Sequence, residues 1–312
     1  MRWQPMKRTL LTALVLGATL AFVGAHAPQF AAVRHAAAAE LQQASYDKGL
    51  LWRIEKPGIA PSYLFGTVHV ADKRVLALPD IVRKQLDDAH SFTMEVALDA
   101  PNVAALAARM IYTDGRNLPG VAGEELFRKV VPLMAALGVP EEFARLFKPW
   151  AASLMLAVPQ QQPEELLDAT LQRAAVQQGK PVHFLETADD QVAAFEQMPE
   201  SDQVALLEYT IETRDELPEA TEQLLQAYLD RDLGRMWRLS EESVKDRPEL
   251  KRVNDVFAQR LLFDRNVHMS ERMQPWLEEG NAFVAVGALH LYGGQGLLAL
   301  LARDGYTVTR VY

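Results

Sequence analysis

The 312-residue chain contains no cysteine. That excludes disulfide frameworks, thiolate zinc sites, iron–sulfur ligation, a cysteine nucleophile and a lipid-modified N-terminal cysteine, so any metal site has to be built from histidine and carboxylates. The chain is also short of positive charge: 32 Lys and Arg against 41 Asp and Glu give a net charge of −9, with no basic cluster. This balance argues against nucleic acid as a partner, because binding by counterion release needs a basic face. No Gly-x-Ser-x-Gly elbow, Walker loop or His-Glu-x-x-His pair occurs, which takes the main support from serine-hydrolase, nucleotide-binding and thermolysin-like chemistry. At 49% hydrophobic content the chain can nevertheless bury a sizeable core.

Residues 1–27 carry Arg2, Lys7 and Arg8 and no acid, followed by an uncharged run rich in Leu, Ala and Val. The apolar stretch Leu10 to Val23 is short for a bilayer span and ends in Ala25-His26-Ala27, a small-x-small cleavage pattern. This reads as a signal peptide, which predicts a periplasmic or secreted protein with no stable membrane span after processing. Its removal leaves 29 basic against 41 acidic residues, near −12. Residues 28–45, Ala-rich and low in complexity, read as a flexible lead-in to a single domain over 46–312.

The hydrophobic pattern predicts an α/β protein, with a mixed sheet core built from both chain ends and a large all-helical insert at about 100–270. Leu51 to Glu55 and Tyr63 to His69 read as a strand pair, and Leu78-Pro79-Asp80 opens a helix with Ile81, Val82, Leu86 and Ala89 on one face. Ser91 to Ala97 is a further strand. Pro163 opens a helix that buries Leu166, Leu167, Leu171 and Ala175 before Gly179, and Pro181 to Leu185 is a strand inside the middle region. Ser201 is read as a helix cap, and Pro218 and Pro248 as helix openers. Ala282 to Val286, Gly296 to Arg303 and Tyr306 to Val311 complete a strand, a helix and a terminal strand.

Gly-x-x-His occurs twice, as Gly66-Thr67-Val68-His69 and as Gly287-Ala288-Leu289-His290, where composition alone predicts roughly 0.4 occurrences. Each copy follows an apolar strand, and groups just past the carboxyl ends of strands point into the crevice where α/β sheets bind ligands. His69 and His290 therefore read either as metal ligands or a general base, or as strand-end histidines bonded to backbone. Glu95 is an acid inside an apolar strand, and Glu186 closes another; the second reads equally as helix-start electrostatics. On a helix from Glu249 to about Arg272, Val253, Phe257 and Leu261 step by four, and the next member is Arg265. Asn266 lies inward among Leu262, Met269 and Met273. Asp264 is the simple partner for Arg265, and a carboxylate-lined crevice or anionic substrate group the alternative. Gly293-Gly294-Gln295-Gly296 reads as close packing or flexibility.

Taken together, Leu64-Phe65-Gly66-Thr67-Val68-His69-Val70, Glu95, Leu185-Glu186-Thr187, Asp264-Arg265-Asn266 and Val286-Gly287-Ala288-Leu289-His290-Leu291 resemble the TraB/GumN family over about residues 50–312. That family is similar to the Tiki metalloproteases and more distantly to the erythromycin esterase and ChaN haem-binding folds. The resemblance implies a divalent metal, manganese or cobalt before zinc, held by His69, Glu95 and His290. Glu186 would then be the general base, and Arg265 and Asn266 would hold a substrate carboxylate or a developing oxyanion. The expected function is an exported metal-dependent hydrolase acting on a peptide or small molecule. The alternatives are a non-catalytic binder of a peptide or tetrapyrrole and a metal-free esterase-like enzyme.

Overall fold

The computed structural model describes residues 46–97, 99–157, 166–242, 251, 255, 256 and 258–312. The expected leader and lead-in lie outside them, as do Pro163, Pro248, Glu249, Val253 and Phe257.

Among the described residues six strands form one mixed sheet: β1 (Leu51–Glu55), β2 (Ser62–Thr67), β3 (Ser91–Met94), β4 (Val182–Phe184), β5 (Ala282–Gly287) and β6 (Thr307–Arg310), in the order β4-β3-β5-β2-β1-β6. β1 runs antiparallel to both β2 and β6, while β2, β5, β3 and β4 are mutually parallel neighbours. The central strand β5 is apolar throughout and wholly buried, as a strand covered on both faces must be. Phe283 stands between Phe65 and Phe92 with ring centroids 6.0 and 6.3 Å apart, so one aromatic row ties three strands together. Both chain ends build the sheet, as the pattern predicts. β4, the strand read at Pro181 to Leu185, comes from the middle region and extends the sheet by one edge strand.

The longer helices are α1 (Asp80–Asp88), α2 (Ala100–Arg109), α3 (Glu124–Ala136), α4 (Pro149–Ala157), α5 (Leu167–Gln177), α6 (Ala188–Glu196), α7 (Glu200–Glu212), α8 (Leu217–Leu229), α9 (Leu233–Glu242), α10 (Arg265–Glu279) and α11 (Leu297–Arg303). α5 buries Leu167, Leu171 and Ala175 on one stripe, as its spacing requires. α7 starts one residue before Ser201, with Pro199 at its N-cap and no side-chain cap, so the expected Ser201 cap does not form. The apolar interior divides into a core under the sheet and a helical core around Trp150, which stacks on Phe195 at 5.1 Å. Among the described residues no helix is long and apolar enough to cross a membrane.

In the helical region Glu196 on α6 accepts from Arg109 of α2 and from Lys148 at the start of α4. Burial pushes its carboxyl up, but these two cations outweigh that and hold it below the usual carboxylate value. A group so depressed stabilises the fold above about pH 4.5, and the contribution disappears as pH falls through its lowered value. Glu196→Gln is expected to cost about 1 kcal/mol at neutral pH. The cost should vanish in acid, read as converging urea midpoints of the two proteins.

Candidate active site

Four parallel strands end at the same edge of the sheet, and each delivers one side chain just past its end. In spatial order these are Glu186 after β4, Glu95 after β3, His290 after β5 and His69 after β2. The register explains their proximity: Thr67 lies opposite Gly287, and Met94 opposite both Ala285 and Phe184. Here the strand-edge rule acts through a single row of neighbours.

The two Gly-x-x-His glycines do different work. A Cβ on Gly66 would stand 2.9 Å from Leu291 and 3.1 Å from the Ala288 backbone, so this glycine lets the turn Ala288–Leu291 lie against β2. A Cβ on Gly287 would stand 3.4 Å from Glu95 Oε1, 3.4 Å from the His290 ring and 3.5 Å from His69 Nε2. Its missing side chain is the space on which both imidazoles and the carboxylate converge.

Each imidazole is oriented by a partner on Nδ1. Asp168 accepts from His69 Nδ1 at 2.8 Å and from the Thr67 hydroxyl at 2.8 Å. Asn266 donates its amide Nδ2 to the Gln295 carbonyl at 2.8 Å, which leaves its oxygen to accept from His290 Nδ1 at 2.6 Å. In the neutral ring both Nε2 atoms then carry the lone pair, and His290 Nε2 lies 3.8 Å from Glu95 Oε1. Burial lowers the proton affinity of His69, but the Asp168 carboxylate outweighs it, with Glu95 behind, so the group sits above the usual imidazole value. His290 has only a neutral amide on Nδ1. Burial, reinforced by the Arg265 and His69 charges, pushes it down to about 3 against the pull of Glu95.

Arg265 closes the cluster from the start of α10. It grips Glu186 with two bonds of 2.8 and 2.6 Å, reaches Glu95 Oε2 at 2.7 Å and donates to the Leu261 carbonyl at 3.0 Å. Four of its five N–H groups are thus used within the protein. Burial would raise the Glu95 carboxyl, but His290, Arg265 and His69 together with the Gly287 N–H bond of 2.6 Å hold it at about 2. The segment Gln259–Asp264 is a π-turn, a form that recurs at functional sites, and it directly precedes the two inward polar residues.

The structure brings together six of the residues singled out from the sequence, His69, Glu95, Glu186, Arg265, Asn266 and His290, but changes several roles. Asp264 accepts from Gln259 and is not the partner of Arg265. Glu186 stands one residue before Thr187, the N-cap of α6, and its carboxylate is buried in the Arg265 fork. Asn266 spends both ends of its amide on His290 and Gln295, so it acts through His290 rather than on a substrate group. Gln295 gives the glycine-rich segment a use: Gly296 packs where a Cβ would meet the Leu291 and Tyr292 carbonyls at 2.5 and 2.4 Å, and the turn presents the Gln295 carbonyl to Asn266. Asp168 escaped the sequence reading. Its signal was there: an acid set between Leu167 and Leu171 on the buried stripe of α5, the same anomaly that marks Arg265. Of the weaker histidines, His183 stacks on Trp276 at 3.5 Å, and His90 lies 3.7 Å from Glu279.

Whether the residues fit a divalent metal rests on donor chemistry and charge. Glu95, Asp168, Glu186 and Arg265 are all buried. Three carboxylates against one guanidinium leave two negative charges when both imidazoles are neutral, and one when His69 is protonated. Two Nε2 lone pairs and a carboxylate make a donor set suited to a borderline cation, each histidine backed by a hydrogen-bond acceptor as metal-bound histidines are. The 3.8 Å between His290 and Glu95 is within twice an Nε2–metal bond of about 2.1 Å. Among the described residues no group of three or more His, Asp or Glu is placed so that it could hold a metal ion as it stands, so the fit is one of donor chemistry and charge. Beside the cluster opens a cleft of about 390 Å³ between α6 and α10, lined by Glu186 and Arg265 with Asp190, Arg260, His268 and Arg272. Neither His69 nor His290 lines it.

A buried carboxylate–imidazole cluster at the carboxyl edge of a mixed α/β sheet is thus the defined site. The chain belongs to the TraB/PrgY/gumN family, whose profile matches residues 50–310. It is similar to the uncharacterized protein YbaP of Shigella flexneri, 26% identical over 259 residues that cover 80% of this chain and 90% of that protein. It is similar also to the metalloprotease TIKI2 of Danio rerio, 23% identical over 310 residues, 83% of this chain and 60% of that protein. The metalloprotease TIKI1 of Homo sapiens is 24% identical over 318 residues, 85% of this chain and 62% of that protein. The chain therefore spans about three-fifths of the TIKI relatives. No solved structure matches it.

Proposed function

We propose that the protein is an exported metal-dependent hydrolase that cleaves peptides. The observation that carries this reading is the convergence of His69 Nε2, the His290 ring and Glu95 Oε1 on the empty side-chain position of Gly287, inside a cluster with excess negative charge. The names of the TIKI relatives support the reaction class, and the cationic, acid-free stretch at residues 1–27 supports export. A divalent ion, manganese or cobalt before zinc, polarises a carbonyl and lowers the pKa of water when bound at such a site.

The chain's own residues supply the rest. His69, Glu95 and His290 are the donors, and Asp168 and Asn266 fix which ring nitrogen each histidine offers. Glu186 reaches the cluster through Arg265 and also faces the cleft, so it is the general base; accepting a proton requires it to give up one arm of the Arg265 fork. Arg265 retains one N–H for a substrate oxygen. Capture of a tetrapyrrole has no comparable support, since neither imidazole lines the cleft.

The test is metal content by mass spectrometry after reconstitution with manganese, cobalt or zinc. Near-stoichiometric metal is expected in the wild type, falling below a tenth of an equivalent in His69→Ala and His290→Ala. No metal in any wild-type sample overturns the reading, and hydrolysis that survives exhaustive chelation would assign the metal-free esterase chemistry.

A further inference from the structure

The two histidines are held by partners of different charge from different parts of the chain. Asn266, a neutral amide, opens α10 beside His290. Asp168 lies on α5, 99 residues from His69 in sequence, and is the only acid on the buried face of that helix among the residues described as buried there. It is buried and its carboxylate is gripped at both oxygens, Oδ1 by the Thr67 hydroxyl and Oδ2 by His69 Nδ1. Thr67 is the last residue of β2, two before His69, so strand and helix lock the ring through one carboxylate. An ionised carboxylate can only accept, so the ring must donate from Nδ1 and present Nε2 to the space around Gly287.

We propose that Asp168 is the positioning residue of this site: it fixes His69 in the Nδ1–H tautomer and, by its charge, makes His69 the stronger of the two imidazole donors. A carboxylate on the far nitrogen increases the electron density a ring can give to a cation, whereas the Asn266 amide on His290 only orients it. The middle region then contributes more than cover, since it carries the group that sets the state of a histidine placed by the N-terminal strand pair. The metal part of this inference rests on the proposed metal site; the tautomer part does not.

Two readouts separate them. Side-chain nitrogen–proton correlation spectra, taken at alkaline pH where the imidazole is neutral, report which ring nitrogen of His69 carries the proton. Cobalt titration followed by calorimetry and by the visible absorption of the bound ion reports donor strength. The wild type is expected to show the Nδ1–H tautomer. Asp168→Ala should lose it, moving towards the Nε2–H form, and should bind cobalt about 10–100-fold more weakly with an altered spectrum. Asp168→Asn keeps the shape and an acceptor oxygen, so the tautomer should persist while affinity falls several-fold. Thr67→Val, which frees one carboxylate oxygen, should give a smaller loss.

Wild-type tautomer and wild-type cobalt affinity in Asp168→Ala overturn the proposal. If that variant does not fold, wild-type affinity in Asp168→Asn overturns the claim of donor strength, and a wild type whose His69 carries its proton on Nε2 overturns the claim of positioning. A wild type that binds no cobalt yet shows the fixed tautomer would sink the metal site and the donor-strength half, leaving the positioning half standing.

Discussion

Gly287→Ala is expected to abolish divalent-metal binding while leaving the fold intact, a loss of at least 100-fold in cobalt or manganese affinity with a thermal midpoint unchanged or about 2 °C higher. Three features of Gly287 make the substitution mild for folding. Its backbone, φ −54° and ψ 135°, is ordinary for alanine, and the added methyl would meet its neighbours at 3.4–3.5 Å, normal van der Waals contact. Its N–H, which donates to Glu95, is retained. The new carbon nevertheless occupies the space bounded by Glu95, His290 and His69, which an ion bonded to all three has to fill. Calorimetric titration beside a thermal melt reads both halves. Metal binding at wild-type strength in a folded Gly287→Ala protein would place the ion elsewhere and remove these three donors from the proposal. The contrast with Gly66→Ala sharpens the result, since a Cβ there meets Leu291 at 2.9 Å and Ala288 backbone at 3.1 Å and should cost stability instead.

Much of the site was legible because its signals are local violations of pattern. An acid at the end of an apolar strand, as at Glu95 and Glu186, or a guanidinium continuing an apolar helical series, as at Arg265, contradicts its immediate surroundings. The two Gly-x-x-His copies mark strand exits for the same reason. Partnership is different, because it depends on which strands become neighbours. Arg265 has Asp264 beside it in sequence, yet its partners are Glu186 and Glu95, 79 and 170 positions away, since β3 and β4 lie side by side at the sheet edge. Asp168 carried the same signal as Arg265 and was hidden only by the strength of the leucine stripe around it. The π-turn at Gln259–Asp264 was beyond reach for a further reason: a step of four, as from Leu261 to Arg265, fits an α-turn or a wider π-turn about equally well. Helix ends were the least secure, and Pro199 rather than Ser201 opens α7 because a proline followed by two residues with acidic or hydroxyl side chains satisfies either start.

Arg265→Met is expected to be the most destabilising single substitution at the site, by about 3–5 kcal/mol, a fall of order 10 °C in thermal midpoint. Methionine fills much of the same volume, so the cost is electrostatic. The guanidinium is buried between Glu95 and Glu186, which hold its proton affinity above the ordinary arginine value against the effect of burial. Without it, two carboxylates stay in the interior with no cation between them. Their folded-state pKa values would then rise above those of the unfolded chain, because desolvation penalises the charged form. Groups raised in this way bind more protons when folded, so the variant should regain stability as pH falls towards the carboxylate range and lose it as pH rises. Wild type, whose Glu95 is held at about 2, should show no such gain in acid. Removing one acid as well, in Arg265→Met with Glu186→Leu, should recover part of the loss, and that non-additivity separates a charge effect from a packing effect. Added manganese should also raise the midpoint of Arg265→Met by more than it raises that of wild type, since the cation enters a cluster with one positive charge fewer. If the variant is as stable as wild type at neutral pH, or shows no dependence on acid, Arg265 is not what neutralises Glu95 and Glu186, and the excess of negative charge that supports a metal at this edge of the sheet must be reckoned again.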